Sequence, residues 1–186
     1  MFQSHTTPFS WLLIIEPEIF EDIRGSVMES YSQRKFLELG IDCCFVQDNH
    51  SISHKWVIRG LHVQTQHSQA KLLRVVSGSI YDVVVDLRKD SPTFGKWYGI
   101  LLSAKNKKQL FIPAWFAHGF LSLEDETQVL YKCDDFYYPE YDVGIAFDDP
   151  LLAIDWGKYC PKEDFILSEK ARNSISFSDF CKNNPF

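Results

Sequence analysis

The stretch Arg74-Val75-Val76-Ser77-Gly78-Ser79-Ile80-Tyr81-Asp82-Val83-Val84-Val85-Asp86-Leu87-Arg88 reads as strand, glycine turn, strand. In its second half Tyr81, Val83, Val85 and Leu87 share one face and Asp82, Asp86 and Arg88 the other, the two-residue period of a β-strand. Working outward, further strands are expected at Leu12–Glu16, Ser26–Tyr31, Cys44–Asp48, Val57–Gln64, Lys96–Ser103, Gln109–Pro113, Gly119–Leu123 and Gln128–Cys133. Charged turn segments, Ala104–Lys108 and Glu124–Glu126, separate several of them. Many short strands with regular turn signals predict an all-β fold, a sandwich or barrel of the jelly-roll type. Before the tail only one helix is expected, over Gln33–Leu39, with Ser32 as N-cap and Gly40 ending it. After Trp156 the alternation stops, and the polar tail (157–186) is expected to hold one or two short helices. No repeat or linker interrupts the chain. One domain is expected, with its core over about residues 10–156.

The chain has 186 residues, 45% of them hydrophobic and 15% aromatic, enough for a sizeable core and incompatible with a disordered protein. The early apolar run Trp11–Ile15 falls far short of the ~20 residues a bilayer span requires, so no membrane association is expected. Residues 1–10 carry no Lys or Arg, so no secretory leader is expected either. With 19 basic against 25 acidic residues the net charge is −6, which argues against non-specific nucleic-acid binding but allows a local cationic pocket for a small anion. The five cysteines form no C-x-x-C pair. A disulfide framework or zinc knuckle is not expected, and a reducing cytoplasm fits best.

The polar residues that interrupt the strands carry the chemical information. Alternation through Val57–Gln64 puts Ile58, Gly60, His62 and Gln64 on one face, so His62 is a candidate base for a barrel interior. A core or rim histidine bonded to a neighbour is the plainer reading of the same residue. Lys71 shares a face with Leu73 and Val75, where an ammonium would stabilise a developing negative charge; a solvated strand-end lysine is its bland alternative. Tyr131 offers a phenol proton or ordinary packing. His118 follows the turn at Pro113 and is expected on a loop that returns an imidazole to the barrel, or as a structural histidine. Arg24 and Glu29 could form no more than a surface ion pair. A metal is rejected: the residue two after His62 is Gln64 rather than His, and no Glu follows within six residues.

Taken together, Phe20–Gly25, Phe45–Ser51, Ile58–Gln64, Ser91–Gly95, Ile112-Pro113 with Phe116–Phe120, Leu130–Lys132, Phe147–Pro150 and Ile154–Trp156 resemble, in order, the dTDP-4-dehydrorhamnose 3,5-epimerases. The resemblance implies a metal-independent cupin jelly roll needing no cofactor, dimeric through exchanged N-terminal strands, acting on a nucleotide-diphosphate sugar in dTDP-rhamnose synthesis. It implies inversion at carbons 3 and 5 of dTDP-4-keto-6-deoxy-D-glucose, with His62 as base, Tyr131 as proton donor and Lys71 stabilising the enolate. By the same resemblance Arg24, Glu29, Gln47, Asp48, Asn49, Arg59, His118, Asp142 and Lys170 fall on substrate-holding positions, and Tyr137 on the one that stacks on thymine.

Three positions depart from the family pattern. Asp142 stands where Glu is usual, Trp115 where Gly is usual, and Ala171 where an aspartate pairs with the catalytic histidine. In serine proteases, spoiling the corresponding aspartate costs about 10⁴ in turnover. Glu169, Asp164 or another carboxylate is therefore expected to replace the missing partner. Otherwise the chain is an epimerase for another nucleotide sugar or for one carbon, or a catalytically weak nucleotide-sugar binding protein. The Trp115 indole is expected to narrow the pocket or repack its rim.

Overall fold

A computed structural model describes residues 1–186. The strands are β1 (Phe2–Thr6), β2 (Leu13–Pro17), β3 (Ile19–Asp22), β4 (Gly25–Met28), β5 (Gln47–Ser53), β6 (Ile58–Gln64), β7 (Lys71–Ser77), β8 (Ser79–Asp86), β9 (Trp97–Ser103), β10 (Gln109–Ile112), β11 (Phe116–Ser122), β12 (Thr127–Cys133) and β13 (Asp142–Gly144). Helices α1 (Gln33–Glu38), α2 (Glu169–Arg172) and α3 (Phe177–Lys182) are all short. A six-stranded sheet, ordered β1-β2-β10-β7-β12-β5, faces a five-stranded sheet, β13-β6-β11-β8-β9, while β3 and β4 form a separate hairpin. Two antiparallel sheets with this crossed order make a jelly roll.

The decisive turn joins β7 to β8 at Gly78, but the two strands do not pair as a hairpin: β7 lies in the six-stranded sheet and β8 in the five-stranded one, so the chain crosses between the sheets there. A side chain there would meet Thr127 Oγ1 at 2.4 Å, and φ is +73°, so only glycine fits. Between the sheets pack Leu73, Val75, Ile80, Val84, Leu110, Phe116, Phe120 and Val129. The apolar face of β8 looks the other way. Tyr81, Val83, Val85 and Leu87 join one cluster with Leu61, Trp156, Phe165, Phe177 and Phe180. The tail therefore covers the back of the five-stranded sheet, and the polar face of β8 points into the barrel. On the outside of the other sheet, Phe36 of α1 sits with Phe2, Leu13, Ile15, Leu72 and Phe111.

Several expectations shift. The helix begins after Ser32 as expected, although the Ser32 side chain makes no capping bond. The strand expected at Cys44–Asp48 instead runs Gln47–Ser53, because its inward residues Gln47, Asn49 and Ser51 are polar and hide the alternation. Strands β1, β3 and β13 were not expected. His118 lies inside β11, opposite His62 in register, rather than on a loop. Arg24 pairs with Asp22 at 2.5 Å and Glu29 with Lys35 at 2.5 Å, so the two do not pair with each other.

Candidate active site

Strict alternation along β6 would set Arg59 and His62 on opposite faces, yet both line one cavity. The cause lies at Gly60. The register with β11 slips between His118, opposite His62, and Phe120, opposite Arg59. Gly60 has φ +105°, and a Cβ there would lie 2.4 Å from the His118 carbonyl oxygen. The slip sends Ile58 into the core with Leu61 and Val63, not to the face of His62 as simple alternation required.

The cavity holds about 590 Å³, within the range of small-molecule sites. One wall, from the five-stranded sheet, presents His62 and Arg59 of β6, His118 of β11 and Asp142 of β13; the other presents Lys71 of β7, Tyr131 of β12, and Gln47, Asn49 and Ser51 of β5. The tail closes one side with Ile166, Leu167, Ser168 and Ala171. It is brought there by backbone bonds from Ile58 N–H to the Ile166 carbonyl and from Ile166 N–H to the Trp56 carbonyl, both 3.0 Å.

Electrostatics follow from this enclosure. Burial pushes the His62 pKa down, helped by the charges of Lys170, His118 and Lys71 and opposed by Asp142. The imidazole is therefore held neutral, as a base must be. Burial likewise lowers the Lys71 pKa and raises that of the Tyr131 phenol, which keeps its proton. His118 Nε2 lies 2.8 Å from Oδ2 of fully buried Asp82. Asp142 Oδ2 accepts from Lys170 Nζ at 2.6 Å and from the Tyr137 hydroxyl at 3.1 Å, and lies 3.7 Å from His62 Nδ1.

The polar lining also orders the rim. Gln64 donates to the carbonyls of His67 and Phe136 and accepts from Tyr138 N–H, so its amide is fully occupied in pinning the loop that carries Tyr137. Gln69 donates to the Asp135 carbonyl at 2.8 Å, and Gln47 Oε1 accepts from Tyr137 N–H at 3.0 Å. Arg59 is held by Ser53 Oγ and the Ile52 carbonyl. Ser51 Oγ is buried on the cavity wall with no protein partner. No three His, Cys, Asp or Glu side chains cluster as a metal site.

Of the sequence-derived candidates, His62, Lys71, Tyr131, Gln47, Asn49, Arg59, His118, Tyr137 and Asp142 meet in this cavity. Lys170 stands at its rim, bonded to Asp142. Asp48 does not belong to it. Neighbouring strand residues point to opposite faces, and Asp48 is turned outward, paired with Lys132 at 2.7 Å. Arg24 and Glu29 lie on exposed segments away from the cavity of their own chain. Glu169 and Asp164 are exposed and off the wall, so neither fills the place left by Ala171. Trp115 is half exposed, its backbone N–H donates to Ser68 Oγ, and its side chain does not narrow the pocket. Asp82, Ser51, Gln64 and Gln69 were missed as site residues. Asp82 left a signal, a carboxylate in the middle of an apolar strand, and Gln64 shared the expected face of His62; Ser51 and Gln69 left none.

Fold and site define a cupin whose cavity is furnished for acid–base work. The family model described as dTDP-4-dehydrorhamnose 3,5-epimerase matches residues 6–179, and the chain belongs to that family. It is 52% identical over 173 residues to the dTDP-4-dehydrorhamnose 3,5-epimerase of Escherichia coli K12, covering 92% of each chain. Its fold is similar to the crystal structure of dTDP-6-deoxy-D-glucose-3,5-epimerase from Legionella pneumophila Philadelphia 1 in complex with dTDP-4-keto-L-rhamnose. That match has TM-score 0.90 and 45% identity, over 95% of this chain and 93% of the other. A 3'-monoepimerase from Streptomyces bikiniensis, in complex with dTDP-quinovose, is similar at TM-score 0.89 and 30% identity, over 98% and 91%.

Proposed function

We propose that this chain is an isomerase that inverts carbons 3 and 5 of dTDP-4-keto-6-deoxy-D-glucose, giving dTDP-4-keto-L-rhamnose. The observation that carries the reading is the meeting of the His62 imidazole, the Tyr131 phenol and the Lys71 amine on two facing sheets of one cavity. The 4-ketone acidifies the hydrogens on both neighbouring carbons. His62 takes a proton from one face of the sugar, the electrons pass into the carbonyl as an enolate, and Lys71 stabilises the oxygen. Tyr131 returns a proton to the opposite face, which inverts the centre.

Arg59 and His118 suit the diphosphate, whose oxygens take charge-assisted hydrogen bonds. Tyr137 stacks on the base, and Gln47, Asn49 and Lys170 hold the remaining polar groups, while Asp142, expected among them, is taken up by Lys170, Tyr137 and His62. Arg24 and Glu29 join the set only from a second subunit. The hairpin β3–β4 exposes Phe20, Ile23 and Val27, and a homodimer covers them. It is this hairpin that is exchanged, since β1 and β2 are bonded within their own chain's sheet. The tail belongs to the same single domain, a reading supported by the packing of Phe165, Phe177 and Phe180 against Leu61. Five free cysteines favour the cytoplasm; no helix is long and apolar enough to cross a membrane.

Incubation with dTDP-4-keto-6-deoxy-D-glucose in deuterium oxide tests the reading. The wild-type protein is expected to exchange hydrogen at both carbons, and His62→Ala at neither. Exchange at one carbon would make it a monoepimerase, and none a binding protein. Full exchange by His62→Ala would remove His62 as the base.

A further inference from the structure

We infer that Asp142 is the positioning residue for His62, the carboxylate that holds Nδ1 of the ring and so leaves Nε2 free to take the substrate proton. A histidine base needs one nitrogen fixed as donor, because otherwise the two tautomers compete and half the rings present N–H to the carbon acid. The residue facing the site from α2 is Ala171, a buried methyl that cannot accept a proton. The carboxylate that approaches His62 comes instead from β13, whose Asp142 is opposite Gln64, two residues along the same face of β6. Its side chain is 6% exposed and its Oδ2 stands 3.7 Å from His62 Nδ1. That is longer than a hydrogen bond, and such contacts tighten when substrate fills a site. Lys170 Nζ and the Tyr137 hydroxyl grip the same oxygen from the other side, so the carboxylate is aimed by two donors before substrate arrives.

The inference rests on the reading of His62 as base, but its test does not require turnover. The ionisable groups around the ring are Asp142 on β13, His118 on β11, Lys71 on β7, Tyr131 on β12, Tyr137 on the preceding loop and Lys170 on α2. Of these, Asp142 is the carboxylate. Nitrogen-15 imidazole spectra of the full-length protein without ligand report tautomer and titration directly. The wild type is expected to show His62 protonated at Nδ1. Asp142→Asn is expected to lose that preference and to shift the His62 titration to lower pH, because the one stabilising anion is gone. Lys170→Met is expected to shift it to higher pH, because the nearby ammonium that opposes protonation of the ring is gone. In turnover, Asp142→Asn is expected to lower kcat about 10²-fold or more with KM changed far less, and the acidic limb of its pH profile moves down with the titration. Adding Ala171→Asp to Asp142→Asn, which restores a carboxylate to the cavity wall from α2, is expected to recover much of kcat.

An unchanged His62 tautomer and titration in Asp142→Asn would overturn the inference, as would a loss confined to KM. If Asp142→Asn does not fold, the wild-type spectrum decides: a His62 ring protonated at Nε2 would overturn the inference. A wild type that exchanges no substrate hydrogen refutes the epimerase reading, and the spectra still decide whether Asp142 orients the ring.

Discussion

Lys71 holds an ammonium on a wall whose strand otherwise contributes Leu73 and Val75 to the core, and burial lowers its pKa while raising that of the neighbouring Tyr131 phenol. The two shifts have opposite consequences for activity. The phenol keeps its proton further into alkali than a free tyrosine, whereas the ammonium loses its proton sooner than a free lysine. The alkaline limb of kcat/KM is therefore expected to belong to Lys71. Lys71→Arg, whose guanidinium stays charged, is expected to push that limb to higher pH at reduced kcat. A limb that stays in place when rates are measured across pH would assign it to another group. On the acid side the lowered His62 pKa keeps the base neutral, so the acidic limb is expected below the ordinary histidine value of about 6.5. These three side chains were legible in the sequence as polar interruptions of apolar strands. Asp142 as partner of His62 was not, because it comes from a strand 80 residues along the chain that had no sequence signal of its own.

Strand β6 depends on one residue for its function. Gly60 permits the slip that turns Arg59 and His62 to the same side, and there is no room for a methyl between it and the His118 carbonyl. Gly60→Ala is expected to destabilise the fold by about 2–3 kcal/mol or more, through left-handed backbone strain and the clash together. It is also expected to lower activity in the molecules that remain folded. Urea unfolding followed by circular dichroism measures the first, and a loss below 0.5 kcal/mol would show that the strand relaxes around the methyl. Strand β5 teaches a related point. Its inward residues are polar because they face a cavity and not a core, so hydrophobic alternation could not locate it.

For the molecule as a whole, the exposed hairpin β3–β4 is the feature a single chain leaves unexplained. Ile23 is fully exposed at its tip, and Arg24 beside it contacts Asp22 alone among charged groups. If Arg24 serves the partner's cavity, Arg24→Ala and His62→Ala fail in different halves of the dimer. Mixed after unfolding and refolded together, the two inactive variants are expected to regain roughly a quarter of wild-type activity, since half the dimers are mixed and each carries one intact site. No recovery in the mixture would return Arg24 to its own chain.

Local period and turn chemistry were enough to read most of the strands, the glycine turn at Gly78, helix α1 and the ordered set of motifs that includes His62, Lys71 and Tyr131; that β7 and β8 part into different sheets at that turn was not legible. Which face of each strand looks inward was set by how the sheets and the tail pack. The apolar face of β8 lies under the tail and its Asp82 lies inside, an inversion that alternation cannot reveal because it marks two faces without ranking them. The same holds for Asp48, next to Asn49 in the chain but on the opposite face of the sheet. Which carboxylate approaches His62 was settled by β6, β13 and the short helix α2 meeting at one corner of the barrel, a distance relation with no counterpart along the chain.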